Sequence, residues 1–272
     1  MYDNNINFPF FLIWKNDEYF LNNSKIKNTI IIKQDYKKEE IIIFINDIKK
    51  YLISEKYINI NGKPILAIYD PLIIYNLKDY LYNLRQIANE RGIGELFILG
   101  TLYNDDILYY KELFDAYYEF PPKNLNHTIF QKDKYYYFYQ DFIYNVSNNI
   151  SEKKTNNCNI FKGIMIESNS SSGIKKNHLF FKEYSPEKLY LLTKMIINWT
   201  INNHNKNDSF IFINAWNNWE EGNYLEPDNH LGFAFLNSLS KALFNKSFYM
   251  SNFNLFDLKN IFTKNDIIQS NS

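Results

Sequence analysis

Residues 211–228 read Ile211-Phe212-Ile213-Asn214-Ala215-Trp216-Asn217-Asn218-Trp219-Glu220-Glu221-Gly222-Asn223-Tyr224-Leu225-Glu226-Pro227-Asp228. An apolar run typical of a buried strand passes directly into a loop of indole, amide and carboxyl groups. Two of the four Trp residues of the chain lie here, three positions apart. Indole rings can stack on sugar rings, and amides and carboxylates can share hydrogen bonds with vicinal hydroxyls. The segment therefore predicts a strand end that carries a site, and the alternative is a surface loop with incidental charges.

Five further apolar runs predict strands, and stretches with helical spacing lie between them. The predicted strands are Phe8–Ile13, Ile65–Tyr69, Leu96–Leu99, Ala116–Phe120 and Ile160–Met165. The predicted helices are Lys38–Ile53, Asn76–Glu90, Lys134–Val146, Pro186–Ile201 and Leu231–Phe244. Strands that alternate with helices predict a parallel sheet covered by helices.

A doubly wound sheet and a (β/α)8 barrel both fit this alternation, and two observations favour the barrel. No glycine-rich phosphate loop follows any strand. Polar and aromatic residues follow most strands, and in a barrel those strand ends converge on the active-site face. We therefore predict an α/β fold of the (β/α)8 TIM-barrel type that is incomplete, with six of its eight βα units present. Residues 1–250 are expected to form this partial barrel domain, and residues 251–272 a short helix and tail.

Composition excludes several classes of protein. Lys+Arg and Asp+Glu number 30 each, so no overall field favours nucleic acid. No run approaches the roughly 18 apolar residues of a membrane span. The single Cys158 excludes an intramolecular disulfide framework and a Cys-based zinc site, and the four His residues lack metal-ligand spacing. We therefore expect no metal and no cofactor. No basic region precedes the apolar run Phe8–Trp14, so a signal peptide is not expected and a cytoplasmic location is.

The loop of residues 214–228 also resembles a known family. Its pattern Asn-Ala-Trp-Asn-x-Trp-x-Glu-Gly-x-x-Leu-Glu-Pro-Asp is similar to the signature of the WbsX-like glycosyltransferases. These are similar to glycoside hydrolase family 99 and occur in bacterial polysaccharide and O-antigen gene clusters. Further matches follow in order: Phe8-Pro9-Phe10 resembles the third barrel strand of the family, Tyr69-Asp70-Pro71 the end of the fourth, Glu119-Phe120-Pro121-Pro122 the sixth and Phe161-Lys162-Gly163 the seventh.

The resemblance implies a carbohydrate-active protein of bacterial surface polysaccharide biosynthesis, of the O-antigen or lipopolysaccharide kind, whose partner is a sugar or glycan. It implies that Glu221 is the acid-base at the glycosidic oxygen. The position of the second catalytic carboxylate, a base, falls on Asn218, which cannot accept a proton. The residues implied to shape the sugar pocket are Trp14, Asn16, Tyr69, Glu119, Trp216, Asn217, Trp219 and Glu226.

Departures from the family pattern concentrate at strand ends. Asp17, Tyr19, Asp70 and Ser168-Asn169 stand where the family usually has Glu, Trp, Arg and Trp-Asp. Family members also carry two further barrel strands in front of the first one matched here. Three hypotheses follow: a glycosyltransferase or glycosidase-like enzyme, a catalytically impaired sugar-binding remnant, and a fragment that needs a second polypeptide to supply the missing strands.

Overall fold

The computed structural model describes residues 8–21, 29–103, 105–121, 136–138, 143, 146–147, 158–166, 180–205 and 209–245. The chain divides into two compact units. Unit 1 comprises Met1–Asn126, Lys153–Gly163 and His204–Phe212, and unit 2 comprises His127–Glu152, Ile164–Asn203 and Ile213–Ser272. The predicted end of the barrel domain at residue 250 and the predicted C-terminal helix lie outside the described residues, as do Ser168 and Asn169.

Thirteen short strands and four α-helices have both of their ends within the described residues. The strands are β1 (Leu12–Trp14), β2 (Tyr19–Leu21), β3 (Thr29–Ile32), β4 (Asn59–Ile60), β5 (Lys63–Ile68), β6 (Phe97–Leu102), β7 (Ala116–Glu119), β8 (Tyr136–Phe138), β9 (Ile160–Met165), β10 (Phe180–Lys182), β11 (Ile211–Asn214), β12 (Asn217–Asn218) and β13 (Asn223–Tyr224). The helices are α1 (Lys38–Leu52), α2 (Leu77–Glu90), α3 (Pro186–Asn203) and α4 (Ala234–Phe244). In this part of the chain, none of the helices has the length and apolarity needed to cross a lipid bilayer.

The largest sheet has the strand order β1-β5-β6-β7-β9-β11, with β4 paired to β5 outside this path. The first four neighbouring pairs in this order are parallel. The strands follow one another across the sheet in sequence order, whereas a doubly wound sheet reverses its order at a switch point. The rings of Phe11, beside β1, and Phe212, in β11, lie only 5.8 Å apart although these strands end the order, so the sheet curls within unit 1. The predicted α/β fold of the incomplete TIM-barrel type is confirmed.

Each face of this sheet packs into its own core in unit 1, because alternate side chains of a strand point to opposite faces. On one face, which we call the helix face, Leu66 and Tyr117 pack with residues of α1 and α2. On the other, the inner face, Ala67, Tyr118 and Phe161 pack together. Strand residues on the inner face near the carboxyl ends of the strands are those that a barrel uses to build a site.

The helices begin and end where the sequence supplies suitable residues. α1 has Glu39 and Glu40 in its first turn and Lys49 and Lys50 in its last, which matches the charge preference of the helix dipole. In unit 2, the backbone N–H of Lys188 donates to Ser185 Oγ at 3.2 Å, so Ser185 caps the start of α3. α3 packs against α4 in the same unit.

Two helix predictions need correction. In the predicted helix Lys134–Val146, Tyr136–Phe138 form strand β8, which pairs in parallel with β10, whereas Ile143 and Val146 are helical. The aromatic Tyr136-Tyr137-Phe138 sequence suits a strand better than a helix. The predicted helix Leu231–Phe244 begins only at Ala234, because the Asp228 side chain binds the backbone N–H groups of residues 230–232 in a non-helical turn.

Candidate functional site

The segment that the sequence singled out forms a hairpin in unit 2. Strand β12 pairs antiparallel with β13, with Asn217 opposite Tyr224 and Asn218 opposite Asn223. A single 3-10 turn, Trp219–Glu221, connects them. Gly222 ends this turn with a φ of 67°, a left-handed conformation that glycine adopts without steric cost.

The base of this hairpin is fixed by backbone and buried side-chain contacts. The carbonyl of Trp216 accepts hydrogen bonds from the N–H groups of Leu225 and Glu226, both at 2.9 Å. Asn223 is buried, and its Oδ1 accepts from the backbone N–H of Ile166 at 3.4 Å. Leu225 is buried as well. The hairpin therefore presents its tip and its two Trp side chains from an anchored base.

Both Trp rings of the segment are exposed, Trp216 by 52% and Trp219 by 46%. The Trp219 ring stacks on Tyr224, with 3.7 Å between ring centroids and 16° between ring planes. Its indole N–H donates to Glu226 Oε2 at 2.6 Å. Large apolar rings exposed beside carboxylates are suited to a ligand with an apolar face and a hydroxylated rim.

The two positions that the family resemblance marks as catalytic contact each other. The side-chain amide of Asn218 donates to Glu221 Oε2 at 2.9 Å. Glu221 itself is exposed at the hairpin tip. The Asn218 amide donates a hydrogen bond to the carboxylate but, unlike a second carboxylate, cannot take up a proton.

The hairpin is followed by a polar turn that leads into α4. Tyr224 donates its hydroxyl hydrogen bond to Asp228 Oδ2 at 2.9 Å. Asp228 Oδ1 accepts from the backbone N–H groups of His230, Leu231 and Gly232. Burial opposes ionisation of Asp228, but the hydrogen bonds from Leu231, Tyr224 and the other two amides outweigh it and hold its pKa below the ordinary value.

In unit 1, Asn16 is fully buried and joins two strand ends. Its amide donates to the carbonyl of Asp70 and its Oδ1 accepts from the N–H of Asp70, both at 2.7 Å. The amide group thus ties the end of β1 to the end of β5. These contacts give Asn16 a role in the scaffold, and a contact with sugar stays a prediction.

Trp14 is packed among other rings of unit 1. It stacks on Tyr80 at 5.7 Å and lies 4.9 Å from Phe44, with Tyr36 at its edge. Phe44 and Tyr80 belong to α1 and α2, so the indole lies on the helix face. Its sugar-binding role stays a prediction as well.

Glu119 forms an ion pair with Lys162, at 2.6 Å between Oε1 and Nζ, and its Oε2 accepts from the N–H of Gly163 at 3.3 Å. The side chains of Lys162 and Glu119 are only 4% and 11% exposed. Because Glu119 is two residues after Tyr117 in β7, it lies on the helix face. Both carboxylate oxygens are thus engaged within the sheet, and the predicted contact of Glu119 with sugar is untested.

Tyr69 lies at the carboxyl end of β5 in a cluster of aromatic rings that we call the tyrosine cluster: Tyr69, Tyr103 and Phe120. Their ring centroids lie 5.4–6.0 Å apart with edge-to-face geometry. Burial, and next the hydrogen bond with Tyr69, raises the pKa of Tyr103 well above its ordinary value. The sequence prediction included Tyr69 and missed the other two rings. The sequence could have indicated Tyr103 and Phe120, because alternate residues of a strand point to the same face. Tyr103 is two residues after Thr101, and Phe120 is two residues after Tyr118, so both continue the inner face past the ends of β6 and β7.

Thr101 and Tyr118 lie one step deeper on the inner face. Thr101 Oγ1 is 2.8 Å from the carbonyl of Ile68 and 2.7 Å from the hydroxyl of Tyr118. Burial raises the pKa of Tyr118 to about 12. Tyr118 therefore stays protonated at neutral pH, and both hydroxyls have hydrogen-bond partners inside the protein.

The structure brings six predicted site residues together in the hairpin: Trp216, Asn217, Asn218, Trp219, Glu221 and Glu226. The other four, Trp14, Asn16, Tyr69 and Glu119, belong to unit 1. In the described part of the chain, no three His, Cys or acidic side chains are grouped as metal ligands would be.

Residues 1–239 match the model of a family described as glycosyltransferase WbsX. The chain is also 24% identical over 251 residues to a protein named WxcX in each of two strains of Xanthomonas campestris pv. campestris. That alignment covers 89% of this chain and 35% of WxcX, so the chain spans about a third of the length of these relatives. A solved structure described as a glycoside hydrolase-like protein superimposes with a TM-score of 0.54 at 16% identity, covering 77% of this chain and 62% of that one. This likeness concerns the fold.

Proposed function

This chain belongs to the WbsX glycosyltransferase family, and from that membership we propose that it acts on a sugar or glycan. The membership confirms the resemblance of its motifs. The more specific role that the family implies is a step in the biosynthesis of bacterial surface polysaccharide, of the O-antigen or lipopolysaccharide kind. A cytoplasmic location stays a prediction.

The observation that carries this proposal is the hairpin of residues 216–226. It presents two exposed indole rings, an ionisable carboxylate at Glu221 and a second carboxylate at Glu226 on one short, anchored segment. Indole faces pack on the C–H faces of a pyranose, and the carboxylates accept hydrogen bonds from its hydroxyls. Glu221 is the group that we assign to proton transfer at the glycosidic oxygen.

Asn218 determines how fast a glycosidic reaction we expect from this site. The amide beside Glu221 can orient that carboxylate and bind a hydroxyl, but it cannot act as a base. Loss of one general base lowers a rate by on the order of 10²–10⁴. We therefore expect the chain to bind sugar and to cleave a glycosidic bond slowly or not at all.

The experiment measures release of a chromogenic phenol from aryl mannosides and aryl glucosides, together with binding of the same compounds. Glu221→Gln should abolish any release that the native chain shows, because the amide has no proton to give. Glu220→Gln is the matched control, since Glu220 is the adjacent exposed acid of the same turn. Absence of both binding and release with every glycoside would refute the proposed function.

A second candidate function is sugar binding without catalysis. The observation that favours it is the Asn218–Glu221 hydrogen bond, which holds the carboxylate as an acceptor. In that case Glu221→Gln weakens sugar binding, and neither the native chain nor the Glu221→Gln variant releases the phenol. Fast release by the native chain that Glu221→Gln removes would exclude this candidate and would show that Asn218 does not limit the reaction.

A further inference from the structure

We propose that Trp219 is a one-sided platform for a single neutral pyranose, and that Tyr224 and Asp228 are the positioning residues that hold it. This inference rests on the proposed function, because it names the part of the hairpin that contacts the sugar and the class of sugar that it takes. Neither Tyr224 nor Asp228 was among the residues that the family resemblance implied.

The two faces of the Trp219 indole differ in their exposure. Two rings 3.7 Å apart at 16° cover each other almost completely. One face of Trp219 is therefore hidden against Tyr224, yet the residue is still 46% exposed. Whatever area of the ring is exposed must therefore belong to the opposite face and the ring edge. A flat apolar surface that is open on one side matches the C–H face of a pyranose ring.

The Trp219 indole is also held against rotation in its own plane. The charge-assisted hydrogen bond from its N–H to Glu226 Oε2, at 2.6 Å, fixes that rotation. Among the residues that the structure describes, Trp219 alone donates a side-chain hydrogen bond to Glu226, which leaves Oε1 as an acceptor at the ring edge. A hydroxyl on the rim of the stacked sugar can donate to it.

The charged side chains of the hairpin favour a neutral ligand. Glu220, Glu221 and Glu226 all belong to this hairpin, and the turn between β12 and β13 contains no cationic side chain. A uronic acid stacked on Trp219 would bring a further negative charge against these carboxylates. Like charges in partly exposed sites repel, so neutral hexoses are favoured over acidic sugars.

The Tyr224 ring beneath the platform is held in place as well. Tyr224 cannot turn away from Trp219 without breaking its 2.9 Å hydrogen bond to Asp228 Oδ2. Asp228 is in turn held by three backbone N–H groups in the turn before α4. A chain of contacts therefore runs from the backbone before α4 to the indole, and it keeps the platform in one orientation before the sugar arrives. Such preorganisation raises affinity by reducing what must be ordered on binding.

The test is titration of the protein with methyl α-mannopyranoside, methyl β-glucopyranoside and methyl β-glucuronide, followed by NMR and by Trp fluorescence. Trp219→Leu should lower affinity for the two neutral glycosides at least about tenfold, the effect of losing roughly 1.4 kcal/mol of apolar contact. Phe244→Leu is the matched control, since Phe244 is an aromatic residue of unit 2 that is exposed by 64% and lies on α4. The glucuronide should bind weakest, and Glu226→Gln should narrow that difference.

Asp228→Asn and Tyr224→Phe test the positioning role separately. Both should lower affinity by a few fold and reduce the near-ultraviolet circular dichroism of the Trp219 indole, while far-ultraviolet spectra stay unchanged. If Tyr224 and Asp228 only stabilised the fold and did not position Trp219, the near-ultraviolet signal of the indole in the folded variants would stay intact. Binding that survives Trp219→Leu, or that Trp216→Leu alone removes, overturns the platform while leaving the proposed function in place. Failure of the native chain to bind any of the three glycosides would refute both.

Discussion

Lys162 and Glu119 form an ion pair that is buried in the helix face between β7 and β9. Their side chains are 4% and 11% exposed. If one of the two charges is removed, water therefore cannot reach the other charge to solvate it. We predict that Lys162→Met lowers the free energy of unfolding by about 3–5 kcal/mol, because it leaves the carboxylate buried and uncompensated. Urea unfolding measures this. The double variant Glu119→Gln/Lys162→Met should recover part of the loss, and a double variant no more stable than the single one would contradict the explanation.

Asp228 is the acid for which the structure predicts a pH dependence of stability. Its pKa in the folded protein lies below the ordinary value, because hydrogen bonds to the carboxylate outweigh its burial. A group whose folded pKa is lowered stabilises the protein above its ordinary pKa, near 4, and loses that contribution as the pH falls through the folded pKa. We predict that Asp228→Asn is less stable than the native chain at pH 7. The difference should shrink below about pH 4. A difference that stays constant from pH 7 to pH 2 would show that ionisation of Asp228 contributes nothing.

At the scale of single residues, the sequence predicted which side chains belong to the hairpin but not what they touch. Trp219, Glu221 and Glu226 were predicted from their place in residues 214–228. The stack of Trp219 on Tyr224 depends on the register of β12 and β13, which places Asn217 opposite Tyr224. Glu119 finds its partner 43 positions away in β9, a pairing set by sheet order.

At the scale of elements, Arg85 connects α2 to two strands of the sheet. Its guanidinium donates to the carbonyls of Leu96 and Leu113 and to Asp115 Oδ2, at 2.8, 3.1 and 2.8 Å. Arg85 and Asp115 are 25% and 22% exposed. Asp115 also accepts from the N–H of Ile98. One side chain thus joins α2 to the segments just before β6 and β7.

We predict that Arg85→Met lowers the free energy of unfolding by about 2–4 kcal/mol, since it removes three hydrogen bonds and leaves partly buried acceptors unpaired. Arg85→Lys should recover little, because an ammonium group cannot span three acceptors in a planar fork. The control is Arg91→Met, at an exposed position just after α2. Equal losses of unfolding free energy for Arg85→Met and Arg91→Met in urea would show that the three hydrogen bonds of Arg85 do not stabilise the fold.

The element predictions succeeded where hydrophobic periodicity was strong and unbroken. α1, for example, buries Ile41, Ile45, Ile48 and Leu52 at helical spacing, and the sequence pattern found it to within one residue. Tyr136–Phe138 were predicted to lie in a helix with the residues that follow them, although aromatic residues favour strands. Their pairing with Phe180–Lys182 is a long-range contact that local pattern does not contain.

At the scale of the whole molecule, the sheet has an edge strand whose outward groups can be identified. The N–H of Leu12 donates to the Tyr57 hydroxyl at 3.0 Å, and the carbonyl of Trp14 accepts from the N–H of Tyr69 at 2.9 Å. Backbone groups alternate in direction along a strand, so those of Ile13 point away from β5. Among the described residues, no strand pairs with this side of β1. Ile13 itself is 44% exposed.

We propose that this outer edge of β1 accepts a strand from a second polypeptide. In the pure protein, that second polypeptide is another copy of this chain. The pure protein should then self-associate with increasing concentration in sedimentation experiments. Ile13→Pro should weaken that association, because proline removes the outward N–H while the inward bonds of Leu12 and Trp14 remain. Ile13→Thr, which keeps the N–H and has good strand propensity, should associate as the native chain does.

Urea unfolding checks that both variants keep the fold. A native chain that stays monomeric at every concentration, or association unaffected by Ile13→Pro in a folded variant, would exclude strand addition at this edge.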